Sequence, residues 1–150
     1  MTTLELLRQR APILAEMLDT TDSDGLRRIS SSIARTVVDR SGLTDPLIAE
    51  ALQHLGSSAH SRPDLQARVQ SVAEELDEYY LDLQDLCDRG KATAAQVSDA
   101  FAKARAATAV ASALGNFASM AAAETAYEAV CGIADSEEYF TAVARNALTK

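Results

Sequence analysis

Glu75 and Glu78 stand three residues apart, as do Asp82 and Asp85, in a run from 74 to 88 that also holds Glu74, Asp77 and Asp88 and no Lys or Arg. Two kinds of chemistry could use such a run. Carboxylates three and four residues apart share a helix face, and paired carboxylate oxygens suit a hard cation such as Mg²⁺. Glu75, Glu78, Asp82 and Asp85 would then be the ligands of a Mg²⁺-dependent hydrolase acting on a phosphorylated small molecule. Alternatively, seven crowded carboxylates make a field that attracts a basic protein surface. The run holds nearly all of the chain's net charge of −8: without it, fifteen acidic residues face fourteen basic ones.

The acidic pairing resembles that of all-helical nucleotide pyrophosphatases, whose pairs come from two facing helices. Here the other close acids, Glu124 with Glu128 and Glu137 with Glu138, do not repeat the spacing. The docking chemistry is therefore the leading expectation, with no metal and no cofactor. The two histidines add nothing catalytic. His54 can pair with Glu50 one turn earlier, and His60 lies in a loop-like stretch. Neither completes the two Glu-x-x-His motifs of a di-iron bundle, and no phosphate loop, nucleophile elbow or zinc spacing is present.

The residues around the acids indicate how they are displayed. At about 100° per residue, Leu65, Val69, Val72, Leu76, Tyr79, Tyr80, Leu83, Leu86 and Cys87 gather on one side of a helix. All seven carboxylates gather on the other, with Leu81 alone among them. Carboxylates at these spacings repel by a few tenths of a kcal/mol per pair. The expectation is an outward face, made of Glu74, Glu75, Asp77, Glu78, Leu81, Asp82, Asp85 and Asp88, that either is simply solvated and keeps the protein soluble or is offered to a partner. A secondary basic stripe, Arg27, Arg28 and Arg35, lies on an earlier helix and could meet phosphate or the acidic helix of a second copy.

The elements that carry these faces are all helical. Aromatic residues make up only 5% of the chain and Ala is abundant, which favours close-packed helices over strands. Residues 1–150 are expected to form a single all-α domain, a bundle of about seven helices. The first starts at Thr2 with a Thr2–Glu5 capping box and is bent or divided near Arg10 by Pro12. The second carries Leu26, Ile29, Ile33 and Val37 and ends at Ser41-Gly42. Thr44-Asp45-Pro46 opens the third, which Gly56 closes, and residues 56–62 read as a linker. Ser61-Arg62-Pro63-Asp64 opens the long acidic fourth, ended by Gly90. A Thr93–Gln96 capping box starts the fifth, which runs through Leu114. The sixth covers roughly 119–133, and Asp135-Ser136-Glu137-Glu138 caps the seventh.

From Ala104-Arg105-Ala106-Ala107 through Ala113-Leu114-Gly115, then a helix, Ala134-Asp135 and a last helix ending Ala144-Arg145-Asn146-Ala147-Leu148, the cadence resembles HEAT-type helical repeats over roughly 97–149. The resemblance implies a short solenoid-like C-terminal part with a protein-binding surface and no catalytic residues. The long fourth helix departs from the usual repeat length, so a bundle with a solenoid-like tail is expected.

Residues 106–123 are uncharged and long enough to span a membrane, but they are mostly Ala, with Ser112, Gly115, Asn116 and Ser119. Two buried helix ends and a turn are expected there. Glu5, Arg8 and Arg10 interrupt any secretory hydrophobic run, and Cys87 and Cys131 read as free thiols, so the cytoplasm is the expected compartment. Eleven Arg against three Lys suggest a GC-rich bacterial genome. The net negative charge argues against a nucleic-acid partner. The chain reads as a non-enzymatic interaction protein, for instance an immunity-type inhibitor of a nuclease toxin. A partner with a basic surface, or self-association, is expected, with a small-molecule or lipid pocket as a further alternative.

Overall fold

The computed structural model describes residues 1–57, 62–133 and 136–149. His60, most of the expected linker, Ser61 of the fourth helix's start and Ala134-Asp135 lie outside the described residues. Among the described residues there are eight α-helices and no strand: α1 (Thr3–Arg10), α2 (Pro12–Asp19), α3 (Ser23–Ser41), α4 (Pro46–Leu55), α5 (Pro63–Asp88), α6 (Ala94–Ala113), α7 (Ala118–Gly132) and α8 (Glu137–Leu148).

Eight helices replace the seven expected because Pro12 divides the first. Ala11 closes α1 with its N–H on the Leu7 carbonyl at 2.6 Å, and Pro12 occupies the first turn of α2, where a missing N–H costs little. The Thr2–Glu5 and Thr93–Gln96 capping boxes both form. Residues 106–123 are two helix ends and a turn, with α6 ending at Ala113 and α7 starting at Ala118. Among the described residues no helix is long and apolar enough to cross a membrane.

The core sits where α3 and α7 meet the other helices. α3 packs against α6, α7 and α8, while α7 also packs against α1 and α2. Side chains are large on one side of these contacts and small on the other. Ile29, Ile33, Leu14 and Phe140 are fully buried, and α6 and α7 contribute Ala106, Ala107, Ala109, Ala122, Ala126 and Ala129. Alanine faces let helix axes approach to the near end of the usual 8–10 Å range.

Long-range hydrogen bonds tie the helix ends. Arg27 donates to the carbonyls of Gly115 and Asn116, both at 2.6 Å, which pins the α6–α7 turn to α3. Arg35 donates to the Leu52 carbonyl near the end of α4 at 3.1 Å. Glu137 accepts the Ile13 N–H at 3.1 Å and so caps the start of α2 from the far end of the chain. The Ile13 N–H is one of the donors that a helix start leaves without an intrahelical partner.

A candidate interaction site on the acidic helical arm

The second half of α5 and the first third of α6 form an arm. In α5 the buried residues are Leu65, Val69 and Ala73, and none follows. In α6 the first buried residue is Ala100. Between those points the two helices lie mainly against each other, with Leu76, Tyr80, Leu83, Leu86 and Cys87 half-buried opposite Val97 and Phe101. The Tyr80 and Phe101 rings stand 5.1 Å apart.

Local signals build the turn at the tip of the arm. Gly90 has φ of 75°, the left-handed conformation that glycine adopts without a Cβ penalty. Its N–H reaches the Cys87 carbonyl at 3.0 Å and the Lys91 N–H reaches Leu86 at 2.7 Å, completing a Schellman motif. The Thr93–Gln96 box then starts α6, so the chain reverses within a few residues.

At the base of the arm, Arg105 of α6 joins three helices. It donates to Asp77 of α5 at 2.6 Å and to Glu128 of α7 at 2.7 Å. Gly132 makes room for it on α7, since a Cβ there would lie 3.0 Å from the Arg105 Cβ. Burial opposes the Arg105 charge, yet the two carboxylates outweigh burial and hold its pKa above the ordinary value. Burial also dominates at Glu128 and raises its pKa, with Arg105 pulling in the opposite direction.

The structure divides the expected acidic face. Glu74, Glu75, Glu78, Asp82, Asp85 and Asp88 are exposed, and Leu81 is 58% exposed among them. Asp77 is not on that outer face but half-buried against Arg105, because it lies about a quarter turn from Leu76, on the flank that the Arg105 side chain of α6 reaches. Tyr79, expected on the packing side, is 57% exposed. A two-helix arm covers only the stripe between its helices, and Tyr79 sits on the opposite flank of that stripe. The outer face therefore carries six carboxylates with Leu81, and Tyr79 on an adjoining edge.

Asp85 pairs with Arg89 at 3.5 Å in an exposed i,i+4 contact, a geometry worth a few tenths of a kcal/mol. The other outer carboxylates lie within a turn of further carboxylates on the same helix. Replacing Glu75, Glu78 and Asp82 together with Lys is expected to leave folding stability within about 0.5 kcal/mol, as for most exposed substitutions. Denaturant unfolding followed by circular dichroism checks this.

The basic stripe is distributed differently from a free phosphate site. Arg27 and Arg35 spend hydrogen bonds on backbone carbonyls, as described above, and Arg28 is exposed on the same helix. His54 is half-buried on α4. Among the described residues no group of three or more His, Cys, Asp or Glu side chains is gathered to hold a metal ion. Glu75, Glu78, Asp82 and Asp85 all lie on the one exposed side of α5.

Fold and site together define an all-helical bundle bearing an acidic two-helix arm. No family model matches the chain, and comparison with curated proteins and with solved structures yields no match.

Proposed function

We propose that the protein is a non-enzymatic interaction module whose α5 arm docks a basic protein surface. The observation that carries this reading is the composition of the arm's outer face: six exposed carboxylates surround Leu81, on a helix anchored through its other side. An apolar anchor ringed by charge is the common organisation of a binding patch, in which the anchor is desolvated and the charges steer encounter. The helix brings that face already ordered, so association costs little conformational entropy.

A partner with Lys or Arg flanking an apolar pocket fits this surface, and the cytoplasmic inhibitor of a basic nuclease toxin is one such role. Pairing of two copies through α5 is disfavoured, since acidic faces repel. The Arg27–Arg35 stripe of a second copy would be a poor acceptor, as both those guanidiniums are held by carbonyls. The HEAT-like resemblance of the C-terminal part points in the same direction, towards protein binding.

Photo-crosslinking tests the proposal. With benzoylphenylalanine in place of Leu81, irradiation in the producing cell is expected to yield a discrete adduct with a protein of basic surface. The same probe in place of the exposed Ala142 on α8 serves as control. No adduct at position 81 beyond that seen at position 142 would overturn the reading.

A further inference from the structure

A second feature lies far from the acidic arm. The end of α1, the start of α2 and parts of α7 and α8 line an open cleft of about 850 Å³, within the roughly 300–1,000 Å³ common for small-molecule sites. Its position follows from the Pro12 break. Because α1 ends at Arg10 and α2 starts afresh, Arg10 and Ile13 turn to line one wall. Glu137 docks on the Ile13 N–H, which lays Glu138, Thr141 and Arg145 of α8 along the opposite wall at helical spacings.

The lining has a definite chemical character. Val130 and Cys131 of α7 and the 57% exposed Ile13 give it an apolar part. Arg10 and Arg145 give it two guanidiniums, and among the described residues neither forms an ion pair with a carboxylate. Both are exposed, so water solvates them in the free protein and a ligand anion would have to replace that water. The Arg10 guanidinium stands 5.9 Å from the centre of the Tyr127 ring, and of its five N–H donors Tyr127 can engage only some.

We propose that this cleft binds a small organic carboxylate with an apolar body, its anionic end on Arg10 and Arg145 and its body against Ile13, Val130 and Cys131. A planar guanidinium matches a carboxylate in a two-point hydrogen bond. A monoanion suits the cleft better than a phosphate dianion, because Glu137 and Glu138 also line it and would repel a second negative charge. Long-range steering cannot supply the affinity, since the net charge of −8 repels anions. Recognition therefore rests on these short-range contacts. The site is independent of the α5 arm, and either proposal can fail without the other.

Octanoate is the probe, with 1-octanol and inorganic phosphate as the two halves of its chemistry tested separately. The full chain, labelled with ¹⁵N, is titrated, and alkylation of Cys131 by iodoacetamide is followed with Cys87 on the arm as internal control. Octanoate is expected to give saturable shifts around residues 10–13 and 137–145 and to slow alkylation of Cys131 but not of Cys87. Neither octanol nor phosphate should do so. Arg145→Gln removes an exposed side chain and should weaken octanoate about tenfold with an unchanged melting temperature, as expected for losing a charge-assisted hydrogen bond. Arg10→Gln should weaken it similarly. The proposal is overturned if millimolar octanoate leaves Cys131 alkylation unchanged, if both variants bind octanoate as the unaltered chain does, or if phosphate alone saturates the same residues.

Discussion

Replacing Arg105 with alanine is expected to destabilise the protein by about 2–3 kcal/mol, measured as a drop in the denaturant midpoint at neutral pH. Removing one member of a buried charge cluster usually costs about 3–5 kcal/mol, because its partners stay behind uncompensated. The lower value applies here because the cluster is only partly buried: the Arg105 and Glu128 side chains are 21% and 18% exposed and Asp77 is 38% exposed. Most of the loss falls on Glu128, whose carboxylate burial already disfavours.

The pH dependence has a definite sign. A carboxyl whose pKa is higher in the folded than in the unfolded chain stabilises the fold below its unfolded value. That contribution is lost as pH rises through the folded one. Burial raises the Glu128 pKa even with Arg105 present, and Arg105→Ala removes the group that pulls it down. The variant should therefore lie closest to the unaltered protein in mild acid and fall further behind as pH rises through the Glu128 titration. Adding Glu128→Gln to Arg105→Ala should recover part of the loss at neutral pH and flatten this dependence. A double variant that remains as unstable and as pH-sensitive as Arg105→Ala would show that Glu128 is not the strained group.

Phe140→Ala is expected to cost still more, about 3–5 kcal/mol, the usual cost of truncating a buried aromatic side chain. Phe140 is fully buried in α8, edge-on to Tyr139 at 5.2 Å. α8 in turn packs on α3, α2 and α7, and a close-packed interior relaxes only partly into such a void. For a chain of this size the loss corresponds to a fall of roughly 10 °C in melting temperature. The damage should also spread to the cleft, because α8 carries Glu137, which caps α2, and Arg145. A fall of only a degree or two would mean that α8 is not a structural member of the core. Leu81→Ser, at an exposed position, should by contrast leave the melting temperature almost unchanged.

The outcomes differ between the base of the arm and its tip for a reason that bears on what the chain discloses. Helix ends are local chemistry, so Thr2 with Glu5, Pro12, Pro46, Gly90 and Thr93 with Gln96 mark boundaries that the structure places within a residue or two. The apolar face of α5 is likewise visible as a period in Leu65, Val69, Leu76, Tyr80, Leu83 and Cys87. Periodicity tells which face is apolar but not how many helices cover it. Nothing local distinguishes Ala73, buried within the bundle, from Leu83, half-buried in a two-helix arm.

Contacts across long stretches of chain were illegible for the same reason. Asp77 counts as one of seven equivalent acids until the antiparallel pairing of α5 with α6 brings Arg105 beside it. Arg27 reads as a surface cation until the α6–α7 turn arrives beneath it. The cleft depends on the distant contact between Glu137 and Ile13, and no motif announces it. The sequence shows of these contacts only that Arg105 is the last charge before the uncharged, alanine-rich run 106–123.

The arm as a docking surface is tested most directly by the salt dependence of association with the partner trapped through position 81. The unaltered protein should associate more slowly as salt rises, since exposed carboxylates steer the encounter. The variant with Glu75, Glu78 and Asp82 all changed to Lys, folded as stably as its parent, should associate markedly more slowly at low salt and lose that salt dependence. Equal association rates for the two proteins at low salt, with the same response to added salt, would contradict the account.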